Sequence, residues 1–128
     1  MPTIAPDADA GAGTSLIPAE LQAFVNIAEA WGLSTDEQLI LLGSPGRSTY
    51  FKWKKDGGAL PKDTVERISH VLAIFKALQI LLPDETAADG WVKRPNTYFG
   101  GQTALEVMLS GFAELYSVRA HLDAQRGG

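Results

Sequence analysis

The apolar residues of this chain recur mostly at the three- and four-residue spacing of α-helices, and no segment reads as a strand of consequence. The first segment predicts a helix that Pro18 opens and Gly32 ends, because proline suits the first helical position and glycine follows the last. One helix face carries residues at i, i+3, i+4, i+7 and i+10: Leu21, Phe24, Val25, Ala28 and Trp31. The pattern predicts an all-α protein.

Two short helices joined by a tight turn are predicted next. The first begins at one of two possible capping boxes, Ser34 with Glu37 or Thr35 with Gln38. It ends at Gly43, and the Ser-Pro-Gly sequence of residues 44–46 is turn chemistry. Residues 47–55 resume helical spacing, with Tyr50, Phe51 and Trp53 expected to face partly inward. This arrangement is typical of a helix-turn-helix.

The longest predicted helix runs from Pro61 to Pro83. Its first part is an ordinary half-exposed surface, but beyond Val71 the apolar residues surround the axis: Leu72, Ile74, Phe75, Leu78, Ile80, Leu81 and Leu82. We expect this part to be buried on most sides and to form a spine between two halves of the protein. It is also a candidate surface for formation of a homodimer.

The last forty residues begin with a connector, residues 91–101, that contains proline, asparagine and paired glycines together with Trp91, Tyr98 and Phe99. Such a segment is too rich in turn residues for a helix and too apolar for a solvated linker, so it predicts a shaped turn. A capping box of Thr103 and Glu106 then opens a short helix, and a second helix follows Gly111. A helical hairpin is expected.

These elements divide the chain into four predicted parts. Residues 1–14 are a disordered lead, residues 15–60 hold the helix-turn-helix, residues 61–83 form the long connecting helix, and residues 84–128 form a C-terminal helical subdomain. With 45% hydrophobic residues, a chain of 128 residues is large enough to bury one core without disulfides.

Positive charge is concentrated in one place, although the net charge is −4. Residues 1–43 contain no lysine or arginine, whereas residues 44–62 hold five of these residues against the single acid Asp56. The candidate DNA-binding residues are Arg47, Ser48, Thr49, Lys52, Lys54 and Lys55. A recognition helix presents its first residues to the major groove, where such side chains contact bases and phosphates. A solvated helix face, or a helix-turn-helix that only packs or dimerises, explains the same pattern.

Other chemistry finds little support. There is no cysteine, and His70 and His121 stand apart with no ligand spacing around them, so we predict neither a metal site nor a cofactor. No nucleophile elbow or acid/base pair is evident, which disfavours an enzyme, and His121 is interpreted as a helix-surface histidine. An anion at the amides of the paired glycines is a weaker interpretation than a tight turn. The lack of an apolar leader or spanning segment indicates a cytoplasmic protein.

The order of these motifs resembles the Xre/MbcA/ParS antitoxin family over roughly residues 18–128. In the C-terminal part the resemblance is carried by Trp91, Asn96, the aromatic-Gly-Gly turn, the Thr-capped helix and the final Leu-Asp-Ala-x-Arg-Gly-Gly of residues 122–128. Upstream it continues through Trp31-Gly32-Leu33, Leu41-Leu42-Gly43, Trp53 and Glu66-Arg67-Ile68. Two departures are mild: Ala104 stands where a proline is expected, and Gln102 lies in the glycine turn.

The resemblance implies a type II antitoxin with an Xre-like N-terminal subdomain and a C-terminal toxin-binding subdomain. The implied partner is a RES-domain toxin that consumes NAD or transfers ADP-ribose, and the hairpin and tail would block its active-site cleft. The implied toxin-binding residues are Trp91, Asn96, Phe99, Gly100, Gly101, Tyr116, Arg119, Leu122, Gln125, Arg126, Gly127 and Gly128. Operator DNA is a second candidate partner. A DNA-binding repressor without a toxin, or a helical scaffold with an unrelated partner, remains an alternative.

Overall fold

The computed structural model describes residues 17–127. Within them, the α-helices are α1 (Ala19–Ala30), α2 (Thr35–Leu41), α3 (Arg47–Asp56), α4 (Lys62–Leu81), α5 (Glu85–Gly90), α6 (Ala104–Leu109) and α7 (Phe112–Gln125), with 3₁₀ turns at Trp91–Lys93 and Thr97–Phe99. No strand occurs among these residues, which show only an isolated bridge between Pro95 and Thr103. The predicted all-α fold is confirmed. The disordered lead expected at residues 1–14 lies outside the described residues.

Helix α1 ends where the sequence indicated, and its last turn shows why glycine is needed there. Gly32 has a φ of 65°, and the Leu33 amide donates to the Ala28 carbonyl at 2.9 Å while the Gly32 amide donates to Glu29 at 3.1 Å. These two bonds form a Schellman cap, which requires a left-handed residue after the helix. The chain therefore turns sharply into α2.

The helix-turn-helix consists of α2 and α3. Of the two possible capping boxes, Ser34 with Glu37 forms, with both reciprocal bonds present. Tyr50 of α3 is fully buried, and its hydroxyl donates to Gln38 Oε1 of α2 at 2.6 Å, which fixes the two helices relative to each other. Trp53 is also buried, whereas Phe51 is 46% exposed and does not face inward as expected.

Helix α4 is the central element of the fold and packs mainly against α7 and α1. Its buried face consists of Thr64, Ile68, His70, Val71, Ile74, Ala77 and Leu78. The expectation that its second half is buried on most sides is wrong for Ile80, which is 51% exposed. The other apolar residues of this half are buried or half-buried, and Ile80 lies on the side that its neighbours leave to solvent.

The two halves of the protein share one core. Buried residues of α1 to α4 and of α5 to α7 form one continuous cluster, and α6 packs against both α7 and α2. The Lys93 ammonium donates to the Gly32 carbonyl at 2.7 Å, joining the connector to the end of α1. No helix within residues 17–127 is long and apolar enough to cross a membrane.

Candidate functional site

Asn96 organises the connector that leads into the C-terminal hairpin. Its side-chain Oδ1 accepts from the Tyr98 amide at 2.8 Å, and its carbonyl accepts from the amides of Phe99 at 3.0 Å and Gly101 at 2.9 Å. Gly100 and Gly101 have φ angles of 67° and 92°, the left-handed region that favours glycine. The Gly101 amide is thus used inside the turn, which favours a structural role for the glycines over an anion site.

Thr103 and Glu106 then start α6 as predicted. The Thr103 hydroxyl accepts from the Glu106 amide at 3.0 Å, and the Glu106 carboxylate accepts from the Thr103 amide at 2.8 Å. This reciprocal cap fixes the direction in which the chain leaves the glycine turn. Helix α7 follows at Phe112, so the expected hairpin of two helices forms.

An aromatic cluster joins this connector to α7. The rings of Tyr98 and His121 stack with centroids 3.8 Å apart and planes inclined by 24°, while Phe99 packs edge-on against both rings and against Trp91. Tyr98 is still 66% exposed. Burial lowers the pKa of His121, which favours the neutral form of the ring. His121 is therefore a stacking partner of the connector and not a simple helix-surface histidine.

A groove lies beside this cluster and gathers four of the predicted toxin-binding residues: Trp91, Asn96, Leu122 and Gln125. Its volume is about 220 Å³, and the other lining residues are Leu78, Leu81, Leu82 and His121. The end of α4 supplies the apolar floor. The groove therefore combines this apolar floor with the polar side chains of Asn96, His121 and Gln125.

Three more of the predicted toxin-binding residues, Arg119, Arg126 and Gly127, meet at a separate, polar cleft at the end of α7. A cavity of about 350 Å³ is lined by Arg119, Asp123, Arg126 and Gly127. Arg119 Nε lies 3.5 Å from Asp123 Oδ2, one helical turn away. Two guanidinium groups against one carboxylate leave this end of α7 able to attract an anionic partner group. Gly128 lies outside the described residues.

Tyr116 is 54% exposed on the face of α7 that carries Arg119. Behind it lies His70 of α4, whose Nδ1 accepts from Arg119 Nη1 at 3.0 Å. Burial, followed by the neighbouring Arg119 charge, lowers the pKa of His70 against the opposing effect of Glu66. Sequence reasoning missed this residue, because nothing in the local pattern pairs His70 with a residue of the last helix.

The candidate DNA-binding residues all lie on α3, with Arg47, Ser48 and Thr49 exposed at its start. Arg47 Nη2 is 2.8 Å from Asp36 Oδ1 of α2. Lys54 lies over the rings of Tyr50 and Phe51, with its ammonium 4.5 and 4.8 Å from their centroids.

Lys52 and Lys55 complete this set and are exposed farther along α3. Burial raises the pKa of Tyr50, which supports the helix from behind, to about 12. That phenol therefore stays neutral and serves as an anchor. The start of α3 is accessible, as a recognition helix requires.

Among residues 17–127 no group of three or more histidine, aspartate or glutamate side chains is placed to hold a metal ion. His70 and His121 each have aromatic neighbours instead: Phe112 and Tyr116 edge-on to His70, and the connector rings around His121. Both histidines therefore serve in packing.

Comparison with known proteins finds a matching family for each half of the chain. Residues 77–128 match the antitoxin Xre/MbcA/ParS C-terminal toxin-binding domain, and residues 12–73 match the antitoxin Xre-like helix-turn-helix domain. The uncharacterized protein y4oB of Sinorhizobium fredii is 61% identical over 113 residues, which cover 88% of this chain and 88% of that protein. The family matches follow one another in the order of the two halves, and the chain accordingly belongs to the Xre/MbcA/ParS antitoxin family of type II toxin–antitoxin systems.

Proposed function

We propose that this antitoxin neutralises a RES-domain toxin, one that consumes NAD or transfers ADP-ribose, by blocking its active-site cleft. The blocking group is the hairpin of α6 and α7 with the tail that follows it. The observation that carries the proposal is the placement of Arg126 and Gly127 at the end of α7, beside Arg119 and exposed to solvent. The antitoxin itself catalyses no reaction in this scheme, and both proteins act in the cytoplasm.

The physical basis is the narrow shape and charge of the tail. Arg126 is followed by two glycines, which add no side-chain volume beside its guanidinium. A segment this narrow can enter a cleft that is too small for a broad folded surface. Arginine forms paired bonds with carboxylates and stacks on aromatic walls. The groove at Trp91 and Leu122 would meanwhile receive an apolar side chain of the toxin, while the exposed ring of Tyr116 contacts the rim of the cleft.

Co-expression of toxin and truncated antitoxin tests this function. Removal of residues after Leu122 leaves the fold intact in our account, because Leu122 is the last core residue of α7 within the described chain. The truncated protein should keep its helical circular dichroism spectrum but fail to restore growth or to suppress NAD consumption. A full-length chain carrying Lys55→Ala, which alters the other surface, is the matched control and should neutralise fully. Equal neutralisation by the truncated and full chains would refute the blocking mechanism.

A second function, repression of its own operon, is favoured by the exposed start of α3. Arg47, Ser48 and Thr49 lie there on a helix whose inner side is fixed by Tyr50 and Trp53. Since one copy brings few cations, we propose that a homodimer binds the operator, which doubles the charge and sets the spacing of the half-sites.

Mobility-shift titrations with the chain's own promoter test this second function. Arg47→Ala with Lys52→Ala should weaken binding and reduce the slope of log K against log salt by about 0.9 for each phosphate that is no longer neutralised. Lys76→Ala, which removes an exposed cation from α4, is the control. Unchanged titrations across salt concentrations would indicate that the helix-turn-helix only packs or dimerises. Sedimentation of the free protein measures the dimer directly.

A further inference from the structure

His70 belongs to the helix-turn-helix segment of the family, residues 12–73, but its contacts lie on the last helix of the toxin-binding segment. The side chain is 7% exposed. The rings of Phe112 and Tyr116 meet it edge-on, with centroids 5.4 and 5.5 Å away, and Arg119 donates to its Nδ1. It therefore touches three residues on one face of α7.

These contacts hold Arg119 from two directions. One guanidinium nitrogen, Nη1, donates to the imidazole of α4, and Nε lies 3.5 Å from the Asp123 carboxylate of its own helix. An arginine fixed in this way loses less side-chain entropy when a partner binds, since most of the ordering is already complete in the free protein. The exposed ring of Tyr116 is oriented by the same imidazole.

We propose that His70 is a positioning residue for toxin recognition, which fixes Arg119 and Tyr116 on the docking face of α7. This inference rests on the proposed function, because it assigns those two residues to the toxin interface. It makes the toxin-binding surface composite: α7 supplies the contacting groups and α4 supplies the residue that orients them.

The protonation state of His70 provides a distinctive signature. The charged and titratable groups that face it are Glu66 of its own helix and Arg119 and Tyr116 of α7, and Asp123 acts through Arg119. Burial and the Arg119 charge lower the pKa of His70, so the neutral ring accepts the Arg119 bond above its folded pKa. As the pH falls through that value, the ring gains a proton, Nδ1 ceases to be an acceptor, and the two cations repel each other.

Two variants separate the orienting bond from simple packing. His70→Phe keeps an aromatic ring against Phe112 and Tyr116 but offers no acceptor to Arg119. His70→Asn retains an acceptor near the position of Nδ1 and does not titrate. Thermal melting of both full-length variants verifies that each is folded.

Nuclear magnetic resonance of the free full-length chain tests the arrangement without any toxin. The wild-type protein should show slowly exchanging Arg119 Nη1 protons, because this nitrogen donates to His70, and a His70 titration below the ordinary value of 6.5. The Arg119 signal should become fast-exchanging in His70→Phe and stay protected in His70→Asn. A mobile Arg119 in the wild-type chain would overturn the inference.

Calorimetry with a RES-domain toxin that co-purifies with the chain tests the consequence. His70→Phe should lower toxin affinity by up to about tenfold at neutral pH, because binding must then order the Arg119 side chain, and it should lack the weakening in acid that the wild type shows. His70→Asn should recover most of the affinity but show no such pH dependence. Wild-type affinity and pH profile in His70→Phe would overturn the positioning role alone. A wild-type chain that binds no RES-domain toxin would overturn the proposed function, and this role with it.

Discussion

The helix-turn-helix and the C-terminal hairpin present their candidate residues in different ways. On α3, Lys52 and Lys55 extend from an exposed face, and Arg47 has an exposed ion pair with Asp36. On α7 and the connector, Arg119 is fixed by His70 and Asp123, and His121 is stacked on Tyr98. One surface offers charges on adaptable side chains, and the other offers side chains already ordered by their neighbours.

This difference fits the two proposed kinds of partner. A phosphate backbone is uniform, so cations on flexible stems can bind it from a rigid helix without prior ordering. A protein cleft demands one shape, and ordering of the docking residues before binding reduces the entropy lost in the complex. Because the two halves share one core, a mutation in that core should affect both surfaces, whereas a mutation on one surface should leave the other unchanged.

The largest effect should come from the shared core. Phe24→Ala removes a fully buried ring from α1 and should lower the free energy of unfolding by ~3–5 kcal/mol. Because the halves have one core, neutralisation and DNA binding should fail together on warming. Chemical denaturation followed by fluorescence and by circular dichroism measures the loss of stability and shows whether the halves unfold together. Two separate transitions would contradict a single cooperative unit. Phe51→Ala, at a 46% exposed position, is the matched control.

A change at Asp36 sharpens the account of the DNA surface. Asp36→Asn removes the carboxylate that pairs with Arg47 and should tighten promoter binding severalfold. The reason is that Arg47 then no longer gives up its ion pair with Asp36 when it contacts a DNA phosphate. Asp56→Asn makes the same charge change at the opposite end of α3 and should have the smaller effect. Mobility-shift titrations compare the two. Equal gains would mean that net charge, and not the release of Arg47, controls the binding.

The glycine turn should respond more weakly. Gly100→Ala places a side chain at a φ of 67° where no atom lies within 4 Å, so backbone strain alone should cost about 1 kcal/mol. Gly100→Asn should cost less, because asparagine adopts this conformation more readily. Thermal unfolding measures both variants. A large loss in the asparagine variant would show that the position is constrained by packing that the turn geometry does not explain.

The smallest effect concerns pH. Burial lowers the pKa of His121 in the folded state, so the folded protein binds fewer protons there than the unfolded chain does. The stabilisation is therefore present above the ordinary value of 6.5 and is lost as the pH falls through the folded pKa. His121→Phe keeps a ring against Tyr98 and should flatten this part of the stability profile. Denaturation curves between pH 7 and pH 5 compare the two proteins. If the stability of the variant falls with pH as steeply as that of the wild type, another titrating group causes the effect.

Features set by neighbouring residues were predictable from the sequence. The capping boxes at Ser34 and Thr103, the glycine after α1 and the break at Gly111 each involve bonds that span a few residues, so a short pattern contains all the partners. Helix order and the helix-turn-helix followed from the same local signals.

Features set by packing were not predictable in this way. The Tyr98–His121 stack and the His70–Arg119 bond join residues far apart in the chain, and a single sequence gives no register between them. The same reason explains Ile80, because an apolar residue on α4 is buried only where α1 or α7 covers it. The division of the predicted toxin-binding residues into a groove and a polar cleft also depended on how α7 lies against α4.

A solved structure of the full chain bound to a RES-domain toxin tests the central claim most directly. Our account predicts that Arg126 and the glycines after it occupy the toxin's NAD cleft, with Arg119 and Tyr116 at its rim. A complex in which that cleft stands open while residues 126–128 lie elsewhere would contradict it.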